Sequence, residues 1–326
     1  MNAVGVMAQA PTIQEAASAA PGVCAVIVNH NSAQLTRDCI ARLQCAGLPP
    51  AQVIVVDNAS SDGSTEHLAE HMPAANLIEA EGNRGFAAGC NLGASAAFDR
   101  DADAVLMINA DTGFARDFLQ RLLPPVDLVD ACHAPEIFRM DDRDRLWFAG
   151  AWRGRLPGRL HLRRSGDPRT EVDYLWACCL LIGRRVWHKV GAFDSRFFLY
   201  YEDMDWCDRA RRVGVVPRIV PGARLYHIIG ATLGGPDTPK RRYHMTRSGV
   251  LYAHGVRSAG GRELGAGAIR TAIDMRAALR LALRGDRAGL AAHRAGWRDG
   301  WRLAQARQTA QGHPAAQAHQ RPADPS

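Results

Sequence analysis

The chain has 326 residues, 47% of them hydrophobic, enough to bury a large core as one big domain or two small ones. Its net charge of +7 is unevenly placed: residues 251–326 contain 12 Arg, no Lys and 5 acids, while the first 250 residues balance at 28 basic against 28 acidic. The basic residues follow no nucleic-acid-binding motif, so nucleic acid is not expected as a partner, and no run approaches the ~18 apolar residues of a spanning helix.

Residues 1–21 are Ala-rich and precede the first basic residue, Arg37. They lack the positive n-region of a secretory signal and are expected to be a disordered segment. The eight cysteines show no CxxC pairing and sit mostly in apolar runs, which suits buried free thiols in a reducing, cytoplasmic compartment. Cys24–Asn29 and Val53–Asp57 are short β-branched runs around a helical Thr36–Leu43, a βαβ unit of the parallel-sheet kind. A helix opens at Asp62-Gly63-Ser64 toward His71, a strand covers Asn76–Glu79, and a small-residue helix covers Gly85–Phe98. The strand Ala104–Asn109 then ends at Ala110-Asp111. This alternation through residue 123 predicts an α/β sheet.

Beyond Pro124-Pro125 the pattern changes. Residues 139–171 are rich in Arg, Gly and Asp and read as loops with short strands. Val172–Ile182 is an apolar, strand-like stretch, followed by a helix over Arg184–Val190. An acidic helix runs to Val213, then two short strands, Val215–Val220 and Arg224–His227. Residues 240–310 suit helices, and the polar end from Gln311 suits disorder.

The chemistry-bearing stations lie at the ends of these elements. In Phe197–Arg209 an aromatic run ends in Glu202, Asp203 and Asp205, all in a helix's first turn, where the macrodipole favours negative charge. A carboxylate desolvated by aromatic neighbours is what a general base needs, although the same acids would also serve as plain helix-capping groups. Asp57 ends a strand, at the edge where open α/β sheets bind ligands, and would either meet a base or sugar or close an Asx turn. Gly82–Asn91 is a glycine-containing loop entering a small-residue helix, open to ligand approach or to close helix–sheet packing. Asp111 offers an oxygen to a hard divalent ion, and His227, across a cleft from it, offers an imidazole suited to an ion such as manganese.

In order, VCAVIVNHNS, VIVVDNASSDGS, GNRGFAAGCNLG, MINADT, GAFDSRFFLYYEDMDWCDRA and ARLYHIIGAT resemble the family-two, GT-A-fold inverting glycosyltransferases, most closely the rhamnosyltransferase-like branch. The resemblance runs from about Val23 to about Val256. It implies a Rossmann-like nucleotide-sugar-binding sheet with an acceptor-side half and a C-terminal helical extension. The implied divisions are a catalytic domain over 22–250, split into a nucleotide-sugar half (22–123) and an acceptor half (124–250), a basic helical extension over 251–310 and a tail over 311–326.

By position, the resemblance assigns donor binding to Asn29, Asn31, Asp57, Asn83, Arg84, Gly85, Gly89, Asn109 and Asp111. It makes Asp203, with Glu202 beside it, the catalytic base, and Asp111 and His227 the ligands of a divalent metal (Mg2+ or Mn2+). Trp176 and Tyr201, with Trp147, are candidates to stack on an acceptor sugar. Two departures matter: Asn109 stands where many relatives have a first Asp, and Ile228 where some have a second His. The implied reaction moves a sugar, rhamnose from dTDP-rhamnose by branch resemblance or a UDP-linked sugar as the close rival, to a glycan or lipid-linked acceptor. A nucleotidyltransferase and a catalytically silent nucleotide-sugar-binding module are the competing readings. The Arg-rich extension, interleaved with Ala, Leu, Trp297 and Trp301, suits either an anionic membrane surface, with peripheral attachment to the inner face of the plasma membrane, or a solvated hairpin packed on the domain.

Overall fold

The computed structural model describes residues 22–73, 76–123, 127–154, 160–228, 238–255 and 263–311. The segments 1–21 and 312–326, expected to be disordered, lie outside the described residues.

The first half alternates as its sequence pattern requires. β1 (Val23–Asn29), α1 (Ala33–Cys45), β2 (Val53–Asp57), α2 (Ser64–Ala69), β3 (Leu77–Glu79), α3 (Phe86–Phe98) and β4 (Ala104–Ile108) follow in turn. The four strands are parallel in the order β3-β2-β1-β4. Every residue of β2 and β4 is buried, which is why these runs are apolar without alternation. The β1–β2 register places Asn29 beside Asp57 at the carboxyl edge. α3 approaches β1 closely because it is built from Gly, Ala and Ser. A Cβ on Gly89 would lie 2.8 Å from Val28 Cγ1, and one on Gly93 would overlap Val26.

The second half completes the same sheet. After β5 (Thr112–Phe114) and α4 (Phe118–Leu122) come β6 (Cys132–Arg139), β7 (Leu146–Phe148), β8 (Ala151–Arg153), β9 (Leu160–Leu162), β10 (Cys179–Gly183), α5 (Arg184–Val190), α6 (Glu202–Arg212) and β11 (Arg218–His227). The sheet continues β4-β10-β6-β11-β5, with β10 antiparallel to both its neighbours and β5 antiparallel to β11. β8 and β9 form a separate two-stranded ribbon. The two segments expected as separate halves, 22–123 and 124–250, therefore share one hydrogen-bonded sheet.

Three sequence expectations are corrected here. The strand expected across Val172–Ile182 is confined to β10, because Val172 and Tyr174 are engaged by Pro217 and the 150–151 turn instead. The two short strands expected between Val215 and His227 are one strand, β11, whose register shifts between Val220 and Arg224. That bulge contains Pro221, which lacks an amide hydrogen, and Gly222 at φ +82°. β6 was not foreseen as an eight-residue inner strand, since His133, Pro135 and Glu136 interrupt its apolar pattern. Glu136 is tolerated because the guanidinium of Arg163, itself 4% exposed, lies 2.9 Å away.

The extension consists of α7 (Pro239–Gly255), α8 (Glu263–Leu283) and α9 (Arg287–Gln311). α7 runs through the expected division at residue 250. It is packed along α9, whose Gly296 and Gly300 admit the α7 backbone: a Cβ at either would lie 2.5 Å from a carbonyl oxygen, of Tyr243 or Arg247. All eight cysteines are free, as expected. Among the described residues no helix is long and apolar enough to cross a membrane.

Replacing Arg163 by Met should strand the Glu136 carboxylate inside the sheet and cost on the order of 3–5 kcal/mol. The double variant Arg163→Met/Glu136→Gln should recover much of that loss in urea unfolding. Equal destabilisation of both variants would mean that Arg163 acts through its bonds to the 167 and 169 carbonyls alone.

Candidate active site

The carboxyl ends of β1 and β2 carry a closed hydrogen-bond hub. Asn29 Nδ2 donates to Asp57 Oδ1 at 2.7 Å, and Asn29 Oδ1 accepts from Ser32 and Thr36. Asp57 also accepts from the Ser60 hydroxyl at 2.6 Å, the Ser60 amide at 2.9 Å and the Thr65 hydroxyl at 2.8 Å. Those bonds hold the Asp57 carboxyl below its usual range in spite of burial. Asn29, fully inaccessible and saturated, supports the loop and is corrected from donor-lining to structural. Gly89 is likewise corrected, since it faces Val28 in the sheet. Asp57 lies at the crevice floor, where two of its four donors are hydroxyls that can turn away.

Above this hub, Asn31 (φ +54°) and Ala59 (φ +56°) adopt left-handed conformations and reach the surface loops. The Asn31 amide donates to Ser60, and its side chain accepts from the Ser61 amide. Asn58, which the sequence reading passed over, ties the second loop down. Its amide donates to Asn83 Oδ1 and to the Gly85 carbonyl at 3.0 Å, and its carbonyl oxygen accepts from the Arg84 amide. Gly85 has φ +88°, and a Cβ there would collide with the Phe198 carbonyl, which accepts from the Phe86 amide at 2.7 Å. The Asn83-Arg84-Gly85 turn is thereby clamped against the segment leading to Glu202. The Arg84 guanidinium itself stands in solvent, loosely paired with Glu81.

At the next strand end, pairing of β5 with β11 sets His227 opposite Thr112 and so next to Asp111. His227 Nε2 lies 3.3 Å from Asp111 Oδ1, and both side chains are nearly buried. Burial lowers the imidazole's pKa against the pull of Asp111, which favours the neutral ring that carries a lone pair. Asn109 Oδ1 is buried without a partner, a carbonyl oxygen turned inward at the position where an Asp was expected. Trp147 lies 5.2 Å from the His227 ring and 4.9 Å edge-on to Trp176, which stacks on Phe148 at 3.9 Å. These half-buried rings form one aromatic wall beside the pair.

The acidic segment arrives from the other side. Tyr200 and Tyr201 both have φ +68°, and α6 begins immediately after them at Glu202. Tyr201 does not face the crevice, which corrects its assignment as an acceptor platform. Its ring packs with Phe197, Tyr252 and Leu251, and its hydroxyl accepts from Arg270 of α8 at 3.1 Å. Tyr200 turns inward instead. Its phenol pKa is raised by burial and by the fields of Glu202 and Asp111, and Arg241 opposes that rise by hydrogen-bonding it. Nothing in the sequence separates the two neighbouring tyrosines, because the choice is made by backbone torsions.

These geometries resemble known proteins. Residues 24–191 match the model of glycosyl transferase family 2. The chain belongs to this family. Among relatives, the dTDP-rhamnosyl transferase RfbF of Shigella flexneri is 24% identical over 61% of this chain and 69% of its own length. The N-acetylglucosaminyl-diphospho-decaprenol L-rhamnosyltransferase of Mycobacterium tuberculosis is 26% identical over 58% of this chain and 70% of its own. Among solved structures, the mannosyltransferase PcManGT from Pyrobaculum calidifontis superposes with TM-score 0.50 at 16% identity, covering 90% of this chain and 88% of that one. GalNAc-T7 gives 0.52 at 16% identity, covering 71% of this chain and half of its own. The fold is thus the GT-A type expected from the motifs.

Within this glycosyltransferase the two adjacent acids titrate as a pair. Burial, then repulsion from Asp203, pushes Glu202 well above the carboxylate range, and Glu202 Oε2 has no partner. Burial raises Asp203 to about 6, opposed by the Ala177 amide at 3.3 Å and the Met204 amide at 2.8 Å. Burial and mutual repulsion favour a proton on Glu202, while the two amide bonds favour the ionised form of Asp203. The Ala177 amide holds Asp203, and the carbonyl of the next residue, Cys178, accepts from the Asn109 amide at 2.9 Å, so residues 177–178 join the head of α6 to the strand end that leads to Asp111. Among the described residues, the one group of three close candidate ligands is His67, Glu70 and His71. It lies at the exposed end of α2, with the Arg37 guanidinium already on His67 Nε2.

A folded pKa of about 6, above the ordinary carboxylate value near 4, has a definite sign. The stabilising proton is present at low pH, and its contribution is lost as pH rises from roughly 4 through 6. Asp203→Asn should therefore flatten the decline of the melting temperature across that window and match or exceed wild type above pH 7. Parallel wild-type and variant melting profiles from pH 4 to 8 would show that Asp203 titrates normally.

Proposed function

We propose that this chain is an inverting, metal-dependent sugar transferase that moves rhamnose from dTDP-rhamnose to a hydroxyl of a lipid-linked or polysaccharide acceptor in surface-glycan synthesis. The observation that carries the reading is the buried Asp203 carboxylate, held by the Ala177 and Met204 amides, with the adjoining Cys178 carbonyl bonded to Asn109 at the strand end that leads to the Asp111–His227 pair. The names of the two rhamnosyltransferase relatives support the choice of sugar. A UDP-linked sugar is the alternative donor.

The nucleoside would lie over Asn31, Asp57 and the Asn83-Arg84-Gly85 turn, with hydroxyl groups at Ser60 and Thr65 exchanging their bonds to Asp57 for bonds to the ligand. A carboxylate oxygen and a neutral imidazole 3.3 Å apart fit a divalent ion such as Mg2+ or Mn2+. Such an ion, held by Asp111 and His227, would neutralise the leaving diphosphate. Asn109 would contribute its unpartnered carbonyl oxygen to the donor. Trp176 and Trp147 offer apolar faces to an acceptor sugar next to Ala177, the residue that holds Asp203.

In the chemical step Asp203 takes the acceptor hydroxyl's proton as its oxygen bonds to the anomeric carbon. The bond to the diphosphate breaks on the opposite face, and a nucleoside diphosphate leaves. One displacement inverts the centre and needs no covalent enzyme intermediate. Burial and repulsion from Asp203 favour the protonated form of Glu202, which leaves Asp203 as the base.

Release of nucleoside diphosphate from a panel of dTDP-, UDP- and GDP-sugars tests the class of reaction and the donor together. Loss of pyrophosphate instead would indicate nucleotidyl transfer, and binding without turnover a silent module. Asp203→Asn should lower turnover by a factor on the order of 10² to 10⁴ with little change in donor affinity, and the wild-type acid limb should show an apparent pKa near 6. Chelator should abolish activity, with recovery on adding Mg2+ or Mn2+, and Asp111→Ala should lose metal-dependent nucleotide binding. Full activity in chelator would move leaving-group stabilisation to cations such as Arg84 or Arg241.

A further inference from the structure

We propose that the outward face of α8 is a membrane-docking surface that seats this protein on an anionic bilayer. Along α8, Met275, Leu279 and Leu283 recur every four residues and are 69%, 59% and 78% exposed. Side chains at that spacing form one stripe, and exposed Ala268 and Ala272 extend it toward the helix start. Met275, Leu279 and Leu283 are each followed by an arginine: Arg276, Arg280 and Arg284 form a parallel, exposed basic row about 100° around the helix.

From residue 267 to its end, α8 exposes no carboxylate. Its Asp274 is turned to the protein side, 3% exposed and bound by Arg270 at 2.8 Å through both oxygens. α8 thus packs on α7 and α9 through one face and offers a stripe of flexible apolar side chains edged by guanidinium groups on the other. A protein partner of the usual kind would be met by mixed charge, whereas a one-sign basic row beside an apolar stripe complements anionic headgroups over acyl chains. α9 is not built this way. Its Asp299 accepts from Arg298 and pairs with Arg302, and its Trp301 is stacked on His254 at 4.0 Å.

The surface also stands in a useful place. Arg270, on the opposite face of α8, donates to the hydroxyl of Tyr201, the residue that precedes Glu202. Leu283 lies roughly 20 Å further along the helix axis at 1.5 Å per residue. A bilayer under α8 is therefore within one helix length of the catalytic segment. The inference deepens the acceptor side of the proposed function, and its test reads binding rather than transfer, so the two fail separately.

The test is flotation of the full-length protein with vesicles of phosphatidylcholine alone or with one third phosphatidylglycerol. Wild type should float with the anionic vesicles, less so as salt rises, and hardly with neutral ones. Arg276→Gln/Arg280→Gln should weaken partitioning by about fivefold per arginine, and Leu279→Ser/Leu283→Ser by tenfold or more. Melting temperature and nucleoside diphosphate release with a soluble acceptor should be unchanged in both variants, since these side chains are exposed. Absence of wild-type binding at low salt, or equal binding by wild type and both variants, would overturn the proposal. A wild-type dimer that Leu279→Ser/Leu283→Ser dissociates, without vesicle binding, would assign the face to a second copy and overturn it as well.

Discussion

Two neighbouring carboxylates cannot both stay charged inside a protein without a cation between them, and at Glu202 and Asp203 the described structure supplies amide hydrogens instead. The Ala177 and Met204 amides favour ionisation of Asp203, whereas burial and repulsion favour a proton on Glu202. The head of α6 adds the favourable end of the helix dipole. Reaching this arrangement requires Tyr200 and Tyr201 in left-handed torsions, each costing on the order of 1–3 kcal/mol. The surroundings hold that strained turn from several sides. The Phe198 carbonyl is bonded to Phe86 of α3, the Leu199 carbonyl to Ser248 of α7, the Arg196 carbonyl to Arg247 of α7, and the Tyr201 hydroxyl to Arg270 of α8.

This makes the helical extension part of the support for the Glu202–Asp203 segment. Phe197, wholly buried against Leu251 and Ala304, anchors the segment in the extension's own small core. Asp208, one turn beyond Asp205 on α6, accepts from Tyr252 at 2.7 Å and pairs with Arg153 of the β8–β9 ribbon. Loss of the extension would release the strained turn as well as any surface that α8 presents.

The sheet supplies the other half of the geometry. Parallel strands bring loops to one edge, but only the antiparallel insertion of β10 next to β4 carries Ala177 and Cys178 to that edge, alongside Asn109. The β5–β11 pairing then returns His227 to Asp111 from a position 116 residues later in sequence. A mixed sheet joins groups from the first and second halves of the chain that a purely parallel one would keep apart.

These facts explain what the sequence makes legible. The parallel half reads directly because buried strands are continuous β-branched runs, and the ordered acidic motifs read directly because chemistry constrains residue type at strand ends and helix starts. β6 does not, since its Glu136 depends on Arg163, which lies on a distant loop. Asn29 and Gly89 have the residue types of ligand contacts but are consumed by local demands, a loop hub and a close helix–sheet approach. The Tyr200/Tyr201 choice turns on two torsions that no composition encodes. Residue type at a strand end therefore identifies the chemistry available there, whereas the direction of each side chain is settled by partners far away in the chain. At this site they range from Ala177, which holds Asp203, to Arg247, Ser248 and Arg270 of the extension, which hold the turn before it.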